Sequence, residues 1–219
     1  SSVTGVQTCA LPIYLKKKNW FNIGGKSKVF FRADNLKDLV KFLQLLNNQE
    51  RIFIIGAGSN TLISDDTFDG VVIKLSKNFN RISLLREDVI ISGSAVLDKS
   101  LSEFAAQNNL SGFEFLSCIP GSIGGGIRMN AGCFGREFKD ILLSIQAIDK
   151  KGNVKTIPAK DINFEYRKNN LSDDLIFSFS MLRMQTNFWT LLPKSKYDAG
   201  EHELSPGLSG FCSCAKKTI

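Results

Sequence analysis

Residues 51–60 read Arg51-Ile52-Phe53-Ile54-Ile55-Gly56-Ala57-Gly58-Ser59-Asn60. Four consecutive apolar residues, Ile52 to Ile55, predict a strand covered on both faces, as in a parallel or mixed sheet. The glycines that follow let the backbone turn sharply and let a ligand approach the main chain closely. Successive N–H groups in such a turn form a nest for an anion, to which Ser59 and Asn60 add side-chain donors. Position 61 is Thr, so the third glycine of a GxGxxG fingerprint is missing, and no amphipathic helix follows. A Rossmann dinucleotide site is therefore disfavoured. Taken alone, the five residues are equally a plain tight turn.

Working outward, Val29-Phe30-Phe31 predicts a short strand. A helix follows, with Asn35 as N-cap and Asp38 three residues on. Leu36, Leu39, Val40, Leu43 and Leu46 recur on one face of that helix, and Asn47-Asn48 ends it. Downstream, Val71-Val72-Ile73 follows the turn signal Asp69-Gly70. Residues 81–85 and 89–91 predict two strands joined by Arg86-Glu87-Asp88. A second helix starts near Asp98, burying Leu101, Phe104 and Ala105. Further strands are expected at 141–148, 154–157 and 175–184, with a brief helical or turn segment at Asp161-Ile162 leading to Tyr166-Arg167. Strands and helices intermingle, which points to α/β or α+β layers.

The second informative stretch, residues 119–135, reads Ile119-Pro120-Gly121-Ser122-Ile123-Gly124-Gly125-Gly126-Ile127-Arg128-Met129-Asn130-Ala131-Gly132-Cys133-Phe134-Gly135. Glycine at this density loses much conformational entropy on folding, which is tolerable where backbone must lie against a flat or multiply charged ligand. Pro120 fixes the approach, and Gly124, Gly125 and Gly126 remove side chains that would collide with a ring system. GK[ST] is absent, so this is not a P-loop. Arg128 either neutralises a phosphate or faces solvent.

With 219 residues, 43% hydrophobic and 22% charged, and a mean hydropathy of −0.03, the composition is that of a soluble globular chain. No apolar run approaches the roughly 20 residues of a membrane span. The net charge of +7 is spread along the chain, with Lys16, Lys17 and Lys18 its densest cluster. It suits anionic small molecules, and no helix-turn-helix, RNP or zinc pattern points to nucleic acid. Five cysteines with no CxxC, and a single His, give no metal site. Sparse, unpaired cysteines fit a reducing cytosol. Residues 1–13 are set aside as non-native, because 3–13 resemble a translated sequencing adapter. Periodicity dissolves after about Thr186. The expected organisation is a first subdomain over 14–75, a second over 76–185, and a divergent, non-native tail over 186–219.

Five segments occur in a telling order: Asn19-Trp20-Phe21-Asn22-Ile23-Gly24-Gly25, Gly56-Ala57-Gly58-Ser59-Asn60, residues 119–126, Met129-Asn130-Ala131-Gly132, and Tyr166-Arg167. Together they resemble the UDP-N-acetylenolpyruvoylglucosamine reductase family. The resemblance implies an α+β, vanillyl-alcohol-oxidase-type FAD-binding fold of two small α/β subdomains, with the substrate domain largely missing. It implies FAD as cofactor. Gly56, Ala57, Gly58, Ser59 and Asn60 would wrap the pyrophosphate. Pro120, Gly121, Ser122, Ile123, Gly124, Gly125, Asn130, Ala131 and Gly132 would lie along the flavin and its diphosphate.

The implied reaction moves a hydride from NADPH to FAD and on to the enolpyruvyl double bond of UDP-N-acetylglucosamine enolpyruvate, giving UDP-N-acetylmuramate for peptidoglycan. Arg167 matches the family's catalytic arginine, and Tyr166 and Arg167 would touch substrate. A guanidinium suits a developing enolate because it stays charged and grips carboxylates in bidentate fashion. Read without the family, Arg167 is more simply a surface ion pair. The family's catalytic serine and glutamate come from a later domain. Nothing is carried over to Ser195, Ser205, Ser209, Glu201 or Glu203, so the chain is expected to bind FAD weakly and turn over poorly. A monomer in the cytoplasm, meeting a UDP-sugar and NADPH, completes the expectation. Two alternatives stand beside it: another FAD-dependent oxidase or dehydrogenase of the same fold, and a non-catalytic nucleotide-binding remnant. Histidine-tethered flavin is disfavoured, since the sole His, His202, lies outside the matched region.

Overall fold

The computed structural model describes residues 13–46, 49–185 and the backbone of 217–218. The expectations for residues 1–12, Asn47-Asn48, His202 and most of the 186–219 tail lie outside the described residues.

The first half of the fold comprises β1 (Ile13–Tyr14), β2 (Lys26–Ala33), α1 (Leu36–Leu45), β3 (Ile52–Ile54), β4 (Thr61–Leu62) and β5 (Phe68–Leu75). Its four-stranded sheet runs β1-β2-β5-β3. β2, β5 and β3 are parallel, in a register that sets Phe31 beside Ile73 and Ile54 beside Ile73, and β1 pairs antiparallel with β2. The α1 cap forms as the sequence requires: Asn35 Oδ1 accepts from Asp38 N at 2.9 Å. Leu39, Phe42 and Leu43 are buried from that helix, and Phe42 stacks on Phe31 with ring centroids 3.8 Å apart. β3 is parallel, as expected, but it is only half-buried. It lies at the sheet edge, where Ile52 and Ile54 pack against the α1 cluster and Phe53 against the cluster of Leu15 and Phe30, and its residues also form part of a cavity wall.

The second half comprises β6 (Ile82–Arg86), β7 (Val89–Gly93), α2 (Asp98–Gln107), α3 (Ile123–Arg128), β8 (Gly132–Cys133), β9 (Arg136–Glu137), α4 (Phe138–Ile141), β10 (Leu142–Ile148), β11 (Val154–Pro158), β12 (Phe164–Glu165), β13 (Lys168–Asn169) and β14 (Ile176–Arg183). The main sheet is antiparallel throughout, in the order β11-β10-β14-β7-β6. Its helix-covered face buries Leu101, Phe113, Leu116, Ile123, Ile127, Phe138 and Ile145. Ile148 and Ile176 of this sheet share a cluster with Leu39 and Leu43 of α1, and Phe79 joins the two halves. The fold is thus α+β, with a parallel-rich half and an antiparallel half in apolar contact.

Candidate functional site

A cavity of about 470 Å³ opens between the halves, walled by residues 56–60 on one side and by Ile119, Pro120, Gly121, Ser122, Gly124, Gly125 and Gly126 on the other. The two glycine loops touch: a Cβ on Gly56 would overlap the Ser122 hydroxyl.

The first loop leaves the end of β3 and is braced from behind. Trp20 N donates to Gly58 O at 3.0 Å, and Asn19 Nδ2 donates to the carbonyls of Leu15 (3.1 Å) and Ile23 (2.7 Å). Gly58 has φ +73°, and a Cβ there would meet Lys18 O and Asn19 Cα, so only glycine fits. The amides of Gly56, Ala57, Gly58 and Ser59 have no backbone acceptor among the described residues. Successive N–H groups left without a backbone acceptor beside a cavity are the donors an anion nest requires.

The second loop is built differently. Its amides are engaged within its own half: Ile123 N donates to Val96 O (2.9 Å), and Gly124 N to Ser94 O (3.0 Å). What it offers is bare surface. Gly126 fits against the Phe138 ring and Gly124 against Ser94, whereas a Cβ on Gly125 would meet only Ser122 Oγ at 3.5 Å. The sequence reads this stretch as loop, yet α3 forms through the three glycines. Their poor helix propensity is outweighed because the helix fills the groove between Phe138 and Ser94.

Cations outnumber acids along the cavity: Arg51, Lys74, Arg128 and Arg167 line it with Asp98 and Asp173. Burial pushes the Lys74 ammonium below its usual pKa, and the nearby Lys18 and Arg32 add to that shift. Burial likewise lowers that of Arg128, with Asp173 opposing. Arg128 does not point to solvent. It donates to the carbonyls of Leu171 (3.2 Å), Ser172 (3.0 Å) and Leu175 (2.6 Å) and lies 4.2 Å from the centroid of the Phe177 ring.

Arg167 enters the cavity from a hairpin. Glu165 pairs with Lys168, leaving Tyr166 and Arg167 as the two-residue tip, and Arg167 takes φ +61°, in the left-handed region. A non-glycine residue held there by its surroundings is a common mark of a functional position.

The structure therefore gathers Gly56, Ala57, Gly58, Ser59, Asn60, Pro120, Gly121, Ser122, Gly124, Gly125, Ala131 and Arg167 around one cavity. Four of the expected site residues stand elsewhere. Ile123 is in the core. Gly132 packs against Arg136 in the β8–β9 hairpin. Asn130 is buried and bonded to Glu137, Glu165 and Lys139. Tyr166 is 74% exposed, its ring 5.4 Å from the Arg167 guanidinium.

Sequence reasoning missed Asp98. It marked the start of α2, but its side chain is fully buried at the cavity wall, with neither oxygen hydrogen-bonded among the described residues. Desolvation pushes its carboxyl well above the usual range. An Asp in the first turn is ordinary helix chemistry, so nothing in the pattern marked it.

An α+β frame of two sheets with paired glycine loops at their junction defines a nucleotide-cofactor-binding protein. Residues 27–158 match the FAD binding domain family, and the chain belongs to it. The chain is 67% identical over 163 residues to the UDP-N-acetylenolpyruvoylglucosamine reductase of Pelagibacter ubique, covering 74% of this chain and 54% of that one. It is 48% identical over 162 residues to the Rickettsia bellii protein of the same name, covering 74% of this chain and 54% of that one. It thus spans about half the length of these relatives. Among solved structures, the UDP-N-acetylenolpyruvylglucosamine reductase of Thermus caldophilus superposes with a TM-score of 0.70 at 26% identity, covering 80% of this chain and 61% of that one. Substrate-bound p-cresol methylhydroxylase, at 14% identity and TM-score 0.53 over 74% of this chain and 36% of that one, shares the fold alone. The region is an FAD-binding region similar to that of the reductases, with the vanillyl-alcohol-oxidase-type fold.

The residues present fit FAD. The amides of residues 56–59 and the cationic wall suit a diphosphate, and the open face of Gly125 admits a planar ring.

Proposed function

We propose that this chain carries the cofactor-binding part, with Arg167, of an NADPH-dependent reductase that converts UDP-N-acetylglucosamine enolpyruvate to UDP-N-acetylmuramate in peptidoglycan precursor synthesis. One observation carries the reading: Arg167, held in a left-handed turn, lines the same cavity as both glycine loops. The relatives' shared name supports it.

When bound, FAD supplies hydride acceptance and donation. The chain's own residues then do the following work. Residues 56–59 present amides to the diphosphate, and Lys74 and Arg51 balance its charge. Gly125 leaves room for the ring. Arg167 holds the carboxylate of the enolpyruvyl group and stabilises the negative charge that grows as the double bond is reduced. Tyr166, exposed beside it, meets the sugar nucleotide. Action as a monomer in the cytoplasm belongs to the same proposal; among the described residues no helix is long and apolar enough to cross a membrane.

The test is anaerobic reduction of the FAD-loaded chain by NADPH, followed by addition of the enolpyruvyl sugar nucleotide. Slow recovery of the oxidised flavin spectrum is expected, in keeping with the poor turnover expected of this chain. Arg167→Ala should slow that recovery about a hundredfold or more while FAD stays bound. Recovery as fast in Arg167→Ala as in the parent overturns the role of Arg167; no recovery in the parent overturns the substrate.

A further inference from the structure

Arg167 sits on a two-residue turn in a backbone conformation that β-carbons rarely adopt, so the aim of its guanidinium depends on how its hairpin is anchored. Two side-chain amides, that of Asn130 just beyond α3 and that of Asn169 in β13, supply the anchors. Asn169 Nδ2 donates to the carbonyls of Ile127 (3.0 Å) and Arg128 (3.1 Å), while its Oδ1 accepts from Leu171 N (3.0 Å). Asn130 Nδ2 donates to Glu165 O (3.2 Å) and Glu137 Oε2 (3.0 Å), while its Oδ1 accepts from Lys139 N (3.1 Å). The ties fall on Glu165 and Asn169, two residues to either side of Arg167. They run to the helix whose glycine face lines the cavity. The hydrogen-bonding atoms of both amide groups are thereby engaged, and Asn130 is itself buried.

We propose that Asn130 and Asn169 are positioning residues for Arg167, latching its hairpin to α3 so that guanidinium and cofactor are held by one rigid unit. This rests on the role given to Arg167 above and assigns Asn130 to the hairpin instead of to the flavin. The chemistry requires donors, because every partner of the two Nδ2 groups is a carbonyl or carboxylate oxygen. Asn169→Asp keeps shape and the acceptor for Leu171 N, but turns a carboxylate oxygen toward two carbonyls.

The test uses the full chain loaded with FAD, in four forms: parent, Asn169→Asp, Arg167→Ala and the double variant. Two quantities are read, amide exchange of residues 164–169 and the affinity for UDP-N-acetylglucosamine enolpyruvate from the visible flavin spectrum. Asn169→Asp should speed hairpin exchange about tenfold while leaving FAD affinity within about threefold. It should weaken sugar-nucleotide binding about tenfold in the parent and not at all in the Arg167→Ala background, the non-additivity of residues that act through one another. A merely structural asparagine would carry the same loss into both backgrounds. Asn169→Ser, which keeps one donor, should fall between parent and Asn169→Asp; Asn130→Asp repeats the test from the other strand. Unchanged hairpin exchange, or an additive double variant, overturns the latch with the substrate reading intact. A parent that gives no spectral response to the sugar nucleotide overturns the substrate reading and the positioning role with it.

Discussion

Gly125 and Gly126 are neighbours with opposite duties. A methyl on Gly126 would drive into the buried Phe138 ring, whereas one on Gly125 would project into the cavity. Gly126→Ala should therefore lower stability by about 1–3 kcal/mol, the range for overpacking a core. Gly125→Ala should leave stability unchanged or raise it slightly, as alanine does in a helix, and weaken FAD binding about tenfold or more. Thermal melts and fluorescence titrations of the two variants separate these outcomes; a Gly125→Ala protein with unchanged FAD affinity would put the ring elsewhere. Asp98 makes a second test. Its folded pKa lies above its unfolded value, so its contribution to stability is fully present below the ordinary carboxyl value of 3.8 and is lost as pH rises through the folded value. Asp98→Asn should remove that decline, and urea unfolding from pH 3 to pH 8 should show the variant gaining on the parent with rising pH. The density of glycine marked this stretch in the sequence. Which glycine faces the cavity and which faces Phe138 was not legible, because that depends on a ring that arrives from α4.

At the level of elements, local rules went far. Asn35 and the apolar spacing after it placed α1 nearly to the residue, since the cap and the buried face are both short-range features. Phe42 was absent from the expected face, yet its ring stacks on Phe31 of β2, a contact between segments that no helical period encodes. Phe42→Ala should cost about 3–5 kcal/mol, and chemical denaturation would show it. Several short elements escaped the sequence, α3 and the β12–β13 hairpin among them. α3 runs against glycine propensity and exists because its groove is filled from both sides. The β12–β13 hairpin is four paired residues long, too short to carry an alternating pattern, and it is anchored through the side-chain amides of Asn130, just past α3, and of its own Asn169.

For the whole molecule, the mixture of strands and helices announced layers, and the five ordered segments pointed to the flavoprotein fold. The division into a parallel-rich sheet and an antiparallel sheet was only partly visible. Residues 52–55 read as covered on both faces, and apolar clusters do flank β3, but it is an edge strand whose residues also wall the cavity. The division of labour between the loops was also hidden: donors come from residues 56–59, and bare surface comes from α3. Titrating FAD into the full chain and into Gly125→Leu, with melting curves to confirm that both are folded, tests this most directly. One saturable site per chain is predicted in the parent and little or none in Gly125→Leu. Equal FAD affinity in two folded proteins would contradict the assignment of the cofactor to this cavity.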